Sequence, residues 1–515
     1  MKRITTMLSI ILSCSMIFMA CEGDQGLPGI DGQDGQDGTD GVDGADGQDG
    51  QVFMNMEVDI DTVNFTSITP SLVQAGPGAP SGIQITPLFS SEDVLPLSED
   101  FIFGGSADGA GFLKVDDRYE YFVNNEDNYA IAKVVFNASM TPVWGEYVLN
   151  SSGAGTRLCS GTLIEPDVNG FGPLFLTAGE SGIESQIQAV DVSTADGASA
   201  GIPRPVPSFG RWNSENAIAL PSAAYNDTNI IIGDDHSSGA FGQIVMYRAG
   251  RVGDLVGGSL YVLRRTNLNQ NEIDMVEGES YDVEFVEIPN GKTMSGAQLD
   301  DMAGTLGAIA FGRVEDVDYR KGSDLSVSGR EIWFAVTGDD EDPDTYSVSG
   351  RIYKLTLDDG DAFNGTLVPV IDGDADGNGS EFHNPDNIMV TENFVYVQED
   401  PNGYNRTGGS VVNGSDHPAQ IYAYDIANNT ISVVVQTLEG VAGAPYTEVG
   451  DANGSWEYGA MLDVTDKLGA SESTFILAVQ PHTWREDKFA GADGGAIRPN
   501  ENQGSQIVMI TGLPR

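Results

Sequence analysis

An all-β chain folded as a β-propeller is what the sequence predicts, and three observations carry that prediction. A pattern recurs along the second half as GRWNSENAIAL, FGRVEDVDY, FHNPDNIMV and GSWEYGAML, in which Glu215, Glu315, Asp386 and Glu457 each lead into an alternating apolar strand. Each copy is followed by a strand with a polar end, NIIIGDD, EIWFAVTGDD, FVYVQED or TFILAVQPH, and then by a third strand opening on GQIVMY, GRIYKL, AQIYAY or SQIVMI. With 65 glycines in 515 residues and no long stretch of helical period, the composition favours many short strands over helices. A unit of this kind cannot bury its apolar faces alone, so several stack radially and bring equivalent positions to one axis.

The elements follow in chain order. Residues 1–20 read as a lipoprotein signal: Lys2 and Arg3, an apolar run from Met7 to Ala20, then Cys21 closing the lipobox-like FMAC. Cys21 is the expected lipid anchor, which makes the chain membrane-attached through its N-terminal lipid rather than membrane-spanning, at the outer membrane or cell surface. Residues 21–52 form a collagen-like Gly-x-y stalk, since glycine recurs at every third position from Gly23 to Gly50, with Asp at eight intervening sites. Pro28 is the run's single proline and its charges repel, so an extended solvated stalk and a trimerising one both fit. Residues 53–97 are a lead-in with mixed strand and Pro/Gly signals, suited to supplying an edge strand. Residues 98–515 are the propeller, and dividing them among four-stranded blades gives about six. Two blades come from the less regular stretch before Glu215, where YEYFVNNED and PLFLTAGE end strands in Glu126 and Glu180.

Charge narrows the partners. Seventy-seven acids against 25 bases, a net charge of −52, exclude nucleic acid and bare anionic membrane as binding partners. The same acidity suits hard cations, and it also suits a salt-adapted surface. The acids that matter are those that converge: Glu126, Glu215, Glu315, Asp386 and Glu457, at equivalent blade positions, would meet in one water-poor channel. Like charges so placed raise each other's pKa unless cations neutralise them, so bound metal is expected there. A plainer alternative has each carboxylate accepting N–H groups at the start of its strand. Arg313, two residues before Glu315, shares its side of the strand and offers a fork for a phosphate, or else an ion pair to a neighbouring acid. Asp372, Asp374, Asp376 and Gly377 have the spacing of a calcium loop, with His383 where the closing glutamate belongs. Once Cys14 leaves with the signal and Cys21 carries lipid, Cys159 has no disulfide partner, and it reads as a buried inert thiol, a reactive one or a metal ligand. No serine-hydrolase elbow, P-loop, Rossmann fingerprint or HExxH is present, and four scattered histidines give no zinc site. The acid-rich donor set favours calcium first and iron second.

SADGAGF, the FVNNE strand end, LCSGT, GRWNSENA, GGSLYVLR, FGRVED, HNPDN with YVQED, and SWEYGA occur in this order between Asp108 and His482. In that order and spacing the chain resembles the PhoX-type alkaline phosphatases. The resemblance implies a six-bladed propeller whose channel holds iron and calcium, with a small phosphate ester as substrate. It further implies Cys159 as an iron ligand, Glu215, Glu315, Asp386 and Glu457 as metal ligands with Glu126 a further candidate, and Arg313 as a phosphate clamp, so that Arg313 and Glu315 are the expected catalytic residues. The chain departs from the family at Ser214 and Asn125, where relatives carry histidine, and in its lipoprotein signal, where relatives carry a twin-arginine one.

The expected activity is therefore that of an exported, lipid-anchored, calcium- and iron-dependent phosphatase releasing phosphate from phosphomonoesters. A non-catalytic calcium-stabilised propeller binding a surface partner or glycan is the alternative from another class. A calcium-dependent lactonase or phytase on a similar propeller would keep the acids and leave Cys159 without a role.

Overall fold

The computed structural model describes residues 59–515 apart from 341, 376–382, 402–403, 408–409, 414–416 and 448–454. The expected signal, Cys21, the expected stalk, the first residues of the lead-in and Asp376 lie outside the described residues. The described chain is all-β and propeller-like, and every strand pairs antiparallel with its neighbours. Each strand expected from the recurrent pattern is present: NIIIGD falls in Thr228–Asp234, EIWFAV in Glu331–Val336, FVYVQE in Phe394–Glu399 and FILAVQP in Thr474–Pro481. The longest helix among the described residues, Gly296–Leu306, starts on a Ser295/Gln298 capping box and ends at Gly307. None of these helices is long and apolar enough to cross a membrane.

Four sheets stand separately as blades. One runs Ala107–Val115, Arg118–Asn125, Ala130–Phe136, Pro142–Leu149, and the next Leu158–Ile164, Leu174–Gly179, Gln188–Asp191. A third runs Pro385–Val390, Phe394–Glu399, Gln420–Asp425, Thr430–Thr437, Val73–Ala75, and the fourth Trp456–Asp463, Thr474–Pro481, Gln506–Thr511, Gln84–Ser90. The lead-in thus supplies two outer edge strands, Val73–Ala75 and Gln84–Ser90, the latter joining the N-terminal side of the chain to its last strand. Hydrogen bonding does not divide the rest into two further blades, as a count of six separate sheets required. Ser214–Ala219 to Ser259–Arg265 and Val314–Tyr319 to Asp361–Asp372 belong to one nine-stranded sheet, because Tyr281–Glu287 pairs with Ser259–Arg265 on one side and Asp361–Asp372 on the other.

The apolar faces close on one another between sheets. Met389, Tyr396 and Ile421 of one blade pack with Trp456, Phe475 and Val508 of the next, and Tyr121, Val123 and Phe136 pack with Ile476, Ala478 and Ile507. Inside this rim the six strands Ala107–Val115, Leu158–Ile164, Ser214–Ala219, Val314–Tyr319, Pro385–Val390 and Trp456–Asp463 contact one another in a closed ring. Glycine makes the ring tight. A Cβ at Gly109 would stand 2.0 Å from the Gly161 nitrogen and 2.3 Å from the Ser160 carbonyl carbon, and one at Gly459 would stand 2.2 Å from the Ala107 oxygen. Both obstacles are backbone, so neither strand can yield without moving its neighbour. Gly109→Ala is therefore expected to lower stability by roughly 1–3 kcal/mol, read as an earlier denaturant midpoint. A change no larger than that of Gly250→Ala, where a Cβ has no neighbour within 4 Å, would show that the ring is not close-packed there.

Candidate metal centre

The same local geometry is repeated six times around the ring. The first residue of each inner strand pairs with the last residue of the strand beside it: Ala107 with Asn125, Leu158 with Gly179, Ser214 with Asp234, Val314 with Val336, Pro385 with Glu399, Trp456 with Pro481. Two side chains per pair then fall at the same end of the axis. The second residue of the inner strand is Asp108, Cys159, Glu215, Glu315, Asp386 or Glu457, and the residue just past its partner strand is Glu126, Glu180, Asp235, Thr337, Asp400 or His482. In five pairs a register shift spans the inner-strand residue, and in the sixth it follows Tyr458, one residue after Glu457. Such bulges bend a strand and re-aim its side chains, which fits their presence where the side chains must face an axis.

All twelve line one cavity of about 210 Å³, with Asp127, Arg157, Arg313 and Gln480 completing the wall. Ten of the lining residues are carboxylic acids and two are arginines. Burial is the first cause of the raised pKa of Glu215, followed by the charges of Glu315 and Asp386. Glu315 is raised by burial and by Asp235 against the opposing pull of Arg313, Asp386 by burial and Glu457, and Glu457 by burial and Asp400. Glu126 is raised by burial despite Arg157, and Glu180 by burial and Asp235. Asp108 is pushed up to about 8 by burial and then by Asp316. Cys159 is buried, its thiol is pushed up by burial and by the surrounding acids, and its Sγ donates to Glu180 Oε2 at 3.0 Å.

The donors fit a cation. One ligand atom each from Asp108, Cys159 and Glu215 lies within 4.8 Å of the others, and the same holds for Glu126, Cys159 and Glu180, for Glu180, Glu215 and Asp235, and for Glu215, Glu315 and Asp386. Among the described residues Glu215 and Asp386 lack the partners that a structural carboxylate collects, whereas Asp235 is held by Arg313. Glu215 accepts one long bond, from the Ser160 N–H at 3.3 Å. Asp374, by contrast, accepts the Val348 and Ser349 N–H groups at 2.8 and 2.9 Å, and Asp372 is paired with the buried Arg351 at 2.7 Å. Two carboxylates of the expected calcium loop are thus engaged inside the protein, while Asp376 is outside the described residues. Oxygen donors in excess with a single sulfur are suited to hard cations beside one more thiophilic.

Sequence reasoning placed Glu126, Cys159, Glu215, Arg313, Glu315, Asp386 and Glu457 in one site, and the structure brings all seven to this cavity. Of the two roles considered for Arg313, the ion pair to neighbouring acids is present. Its Nε and Nη2 donate to Asp235 at 2.7 and 3.0 Å and Nη2 pairs with Glu315 at 3.1 Å, while Nη1 has no protein partner among the described residues. Its φ of 69° is a left-handed conformation that costs a non-glycine residue energy and turns the chain into the strand carrying Glu315. Sequence reasoning did not assign Asp108, Asp235, Asp400, His482 and Arg157 to the site. The first four stand inside quoted motifs (SADGAGF, NIIIGDD, FVYVQED, TFILAVQPH), and the usable signal was position relative to a strand end. His482 Nε2 bonds Glu457 Oε1 at 2.7 Å, and Arg157 pairs with Glu126 and Glu180 at 3.3 and 3.5 Å. A larger cavity of about 680 Å³ lies further along the same inner strands, past Ser160, Asn216, Asp316 and Asn387, with a partly apolar wall that includes Leu163, Met389 and Leu462.

No known sequence family matches the chain, and no curated protein does. Among solved structures, Pseudomonas fluorescens PhoX in complex with vanadate, a transition state analogue, is similar to it with a TM-score of 0.55 at 14% identity, covering 87% of this chain and 97% of that one. The β-propeller domain of the Trilobed protease from Pyrococcus furiosus matches at a TM-score of 0.28 and 10% identity, covering 73% of this chain and 96% of that one. The first likeness establishes a shared propeller-like fold.

Because the native state holds protons that the unfolded chain releases, each raised carboxyl stabilises the fold below its ordinary range and loses that contribution as pH rises through its folded value. For Asp108 the window runs from about 4 to about 8. Chelator-treated protein is expected to melt at a lower temperature at pH 8 than at pH 5, calcium is expected to raise Tm more at pH 8, and Glu215→Gln is expected to flatten the dependence. Calorimetry that finds a metal-free Tm rising from pH 5 to pH 8 contradicts this account of the cluster.

Proposed function

We propose that the chain is an exported, lipid-anchored, metal-dependent phosphatase that hydrolyses phosphomonoesters, carried from the membrane on its Gly-x-y stalk. The observation that supports this most directly is the overlap of three-ligand groups through Cys159, Glu180 and Glu215 in a cavity that also holds two arginines. A fold similar to that of a phosphatase determined with vanadate is consistent with the reading. Counting the nine-stranded sheet as two blades joined through Tyr281–Glu287 gives a six-bladed propeller, one blade for each inner strand of the ring.

Calcium and ferric iron are the cations that this donor set suits. Cys159 with Glu126, Glu180 and Glu215 would hold the iron, and Glu215, Glu315, Asp386 and Glu457 would hold calcium. When bound, such cations supply Lewis acidity toward the oxygens of a phosphoryl group. The protein's own groups do the rest. Nη1 of Arg313 donates to a phosphoryl oxygen while Asp235 and Glu315 fix the plane of its guanidinium. At about 210 Å³ the cavity is smaller than the roughly 300–1,000 Å³ of whole-ligand sites, so it takes the phosphoryl group and leaves the alcohol portion at the mouth.

Purified protein supplied with calcium and iron is expected to hydrolyse p-nitrophenyl phosphate, with Glu315→Ala lowering kcat by roughly 10²-fold or more. No turnover above that variant removes the enzyme reading. Metal analysis gives a second check: Cys159→Ser is expected to lose iron and keep calcium, whereas calcium alone in both proteins favours a rigid, non-catalytic propeller.

A further inference from the structure

Basic residues are scarce in this chain, with Lys and Arg together numbering 25 against 77 acids. Three arginines nevertheless converge beside the cavity. The Nη2 atoms of Arg157, Arg485 and Arg498 stand 3.6, 3.7 and 3.8 Å from the carboxylate of Asp127, which lines the cavity wall. Their side chains are 40, 45 and 33% exposed, so each is open to solvent.

The three are not equally committed. Arg485 donates to Glu501 and Gln503, both at 2.7 Å, and Arg498 donates to the Asp127 carbonyl at 2.7 Å and to Glu501 at 2.9 Å. The guanidinium of Arg157 makes no directed hydrogen bond among the described residues, and ion pairs to Glu126, Asp127 and Glu180 hold it at the wall. Glu126 and Glu180 also form a three-ligand group with Cys159, so a cation in that group competes for their charge and leaves the Arg157 fork free to bind elsewhere. Arg313 is the opposite case, fixed on Asp235 through two nitrogens.

An anion nearing a protein of net charge −52 is screened from it at long range and repelled once within about a Debye length, roughly 8–10 Å at ordinary ionic strength, so discrimination among anions falls to cations met at contact. We propose that Arg157, backed by Arg485 and Arg498, is a specificity-determining site for a second anionic group, so that the preferred substrates are phosphate esters bearing a further carboxylate or phosphate. The ester part of this inference rests on the phosphatase reading, and the binding of a second anion does not.

The test is a calorimetric titration of the full chain, loaded with calcium and iron, with propylphosphonate and with 3-phosphonopropionate, which differ by one carboxylate. The unaltered protein is expected to bind the second about tenfold more tightly, and Arg157→Gln is expected to bring that ratio toward one. Arg157→Lys keeps the charge facing Glu126 and Glu180 but not the planar fork, and it is expected to lower the ratio as well. Equal affinities in the unaltered protein, or the full ratio retained in every variant that folds, overturns the proposal. Turnover of p-nitrophenyl phosphate separates the two readings. Turnover without a calorimetric preference leaves a phosphatase lacking this site, and a preference without turnover leaves the anion site and removes the hydrolase.

Discussion

Repulsion among buried carboxylates is the constraint on which the rest of this structure depends. Glu215, Glu315 and Asp386 offer oxygens within 4.8 Å of one another, and burial is the first cause of the raised pKa of each. An arrangement of that kind opposes folding, because taking an unpaired charge from water costs several kcal/mol. It persists because the inner strands are fixed by other contacts, the apolar packing between sheets and the glycine-tight approach of Ala107–Val115 to Leu158–Ile164. The protein's other buried acids show what relief without a cation looks like. Glu272 accepts the Gly312 N–H and the Tyr353 hydroxyl, each at 2.8 Å, and Arg351 lies beside it. Among the described residues Glu215, Glu315 and Asp386 have no comparable set: Glu215 accepts the Ser160 N–H and Asp386 the Asn387 amide, each at 3.3 Å, and Glu315 pairs with Arg313 at 3.1 Å, so protons or cations must supply what the protein does not.

The repeated pairing of inner strand and partner strand explains how the site tolerates variety. Backbone register, bulge and strand end place a side chain at the axis whatever its chemistry. Cys159 replaces an acid at one inner position, and Thr337 and His482 replace acids at two outer ones. The placement is a property of the blade and the chemistry a property of the residue, so one scaffold can mix oxygen, sulfur and imidazole donors.

That division also sets what was legible in the sequence. Glu215, Glu315, Asp386 and Glu457 announced themselves because each precedes an alternating apolar strand in a motif that recurs. Glu126 was legible as the end of an apolar run. Asp235 and Asp400 lay in view at the ends of NIIIGDD and FVYVQED, but nothing local tells a solvated strand end from an axial one, and only the pairing of Ser214 with Asp234 and Pro385 with Glu399 decides it. Asp108 lies among small residues that give no apolar alternation, and Cys159 drew a role from family resemblance alone. The nine-stranded sheet was illegible for a different reason: Tyr281–Glu287 alternates like an ordinary edge strand, and its second partner, Asp361–Asp372, is nearly eighty residues further along the chain.

The arginines show how an acid-rich chain keeps a usable cation at its centre. A guanidinium among ten carboxylates ordinarily ends fully bonded, as Arg313 nearly does, and a fully bonded guanidinium has nothing to offer a ligand. Two features prevent that here. The left-handed backbone at Arg313 aims two nitrogens at Asp235 and one of those at Glu315, which leaves Nη1 over. At Arg157 the neighbouring acids stand at 3.3–3.6 Å without hydrogen-bond geometry, so charge holds the side chain while its N–H directions stay uncommitted. Long-range attraction cannot bring an anion to this protein. Contact geometry at a few well-placed guanidiniums is the means that remains, and it selects on the shape and number of a ligand's anionic groups rather than on net charge.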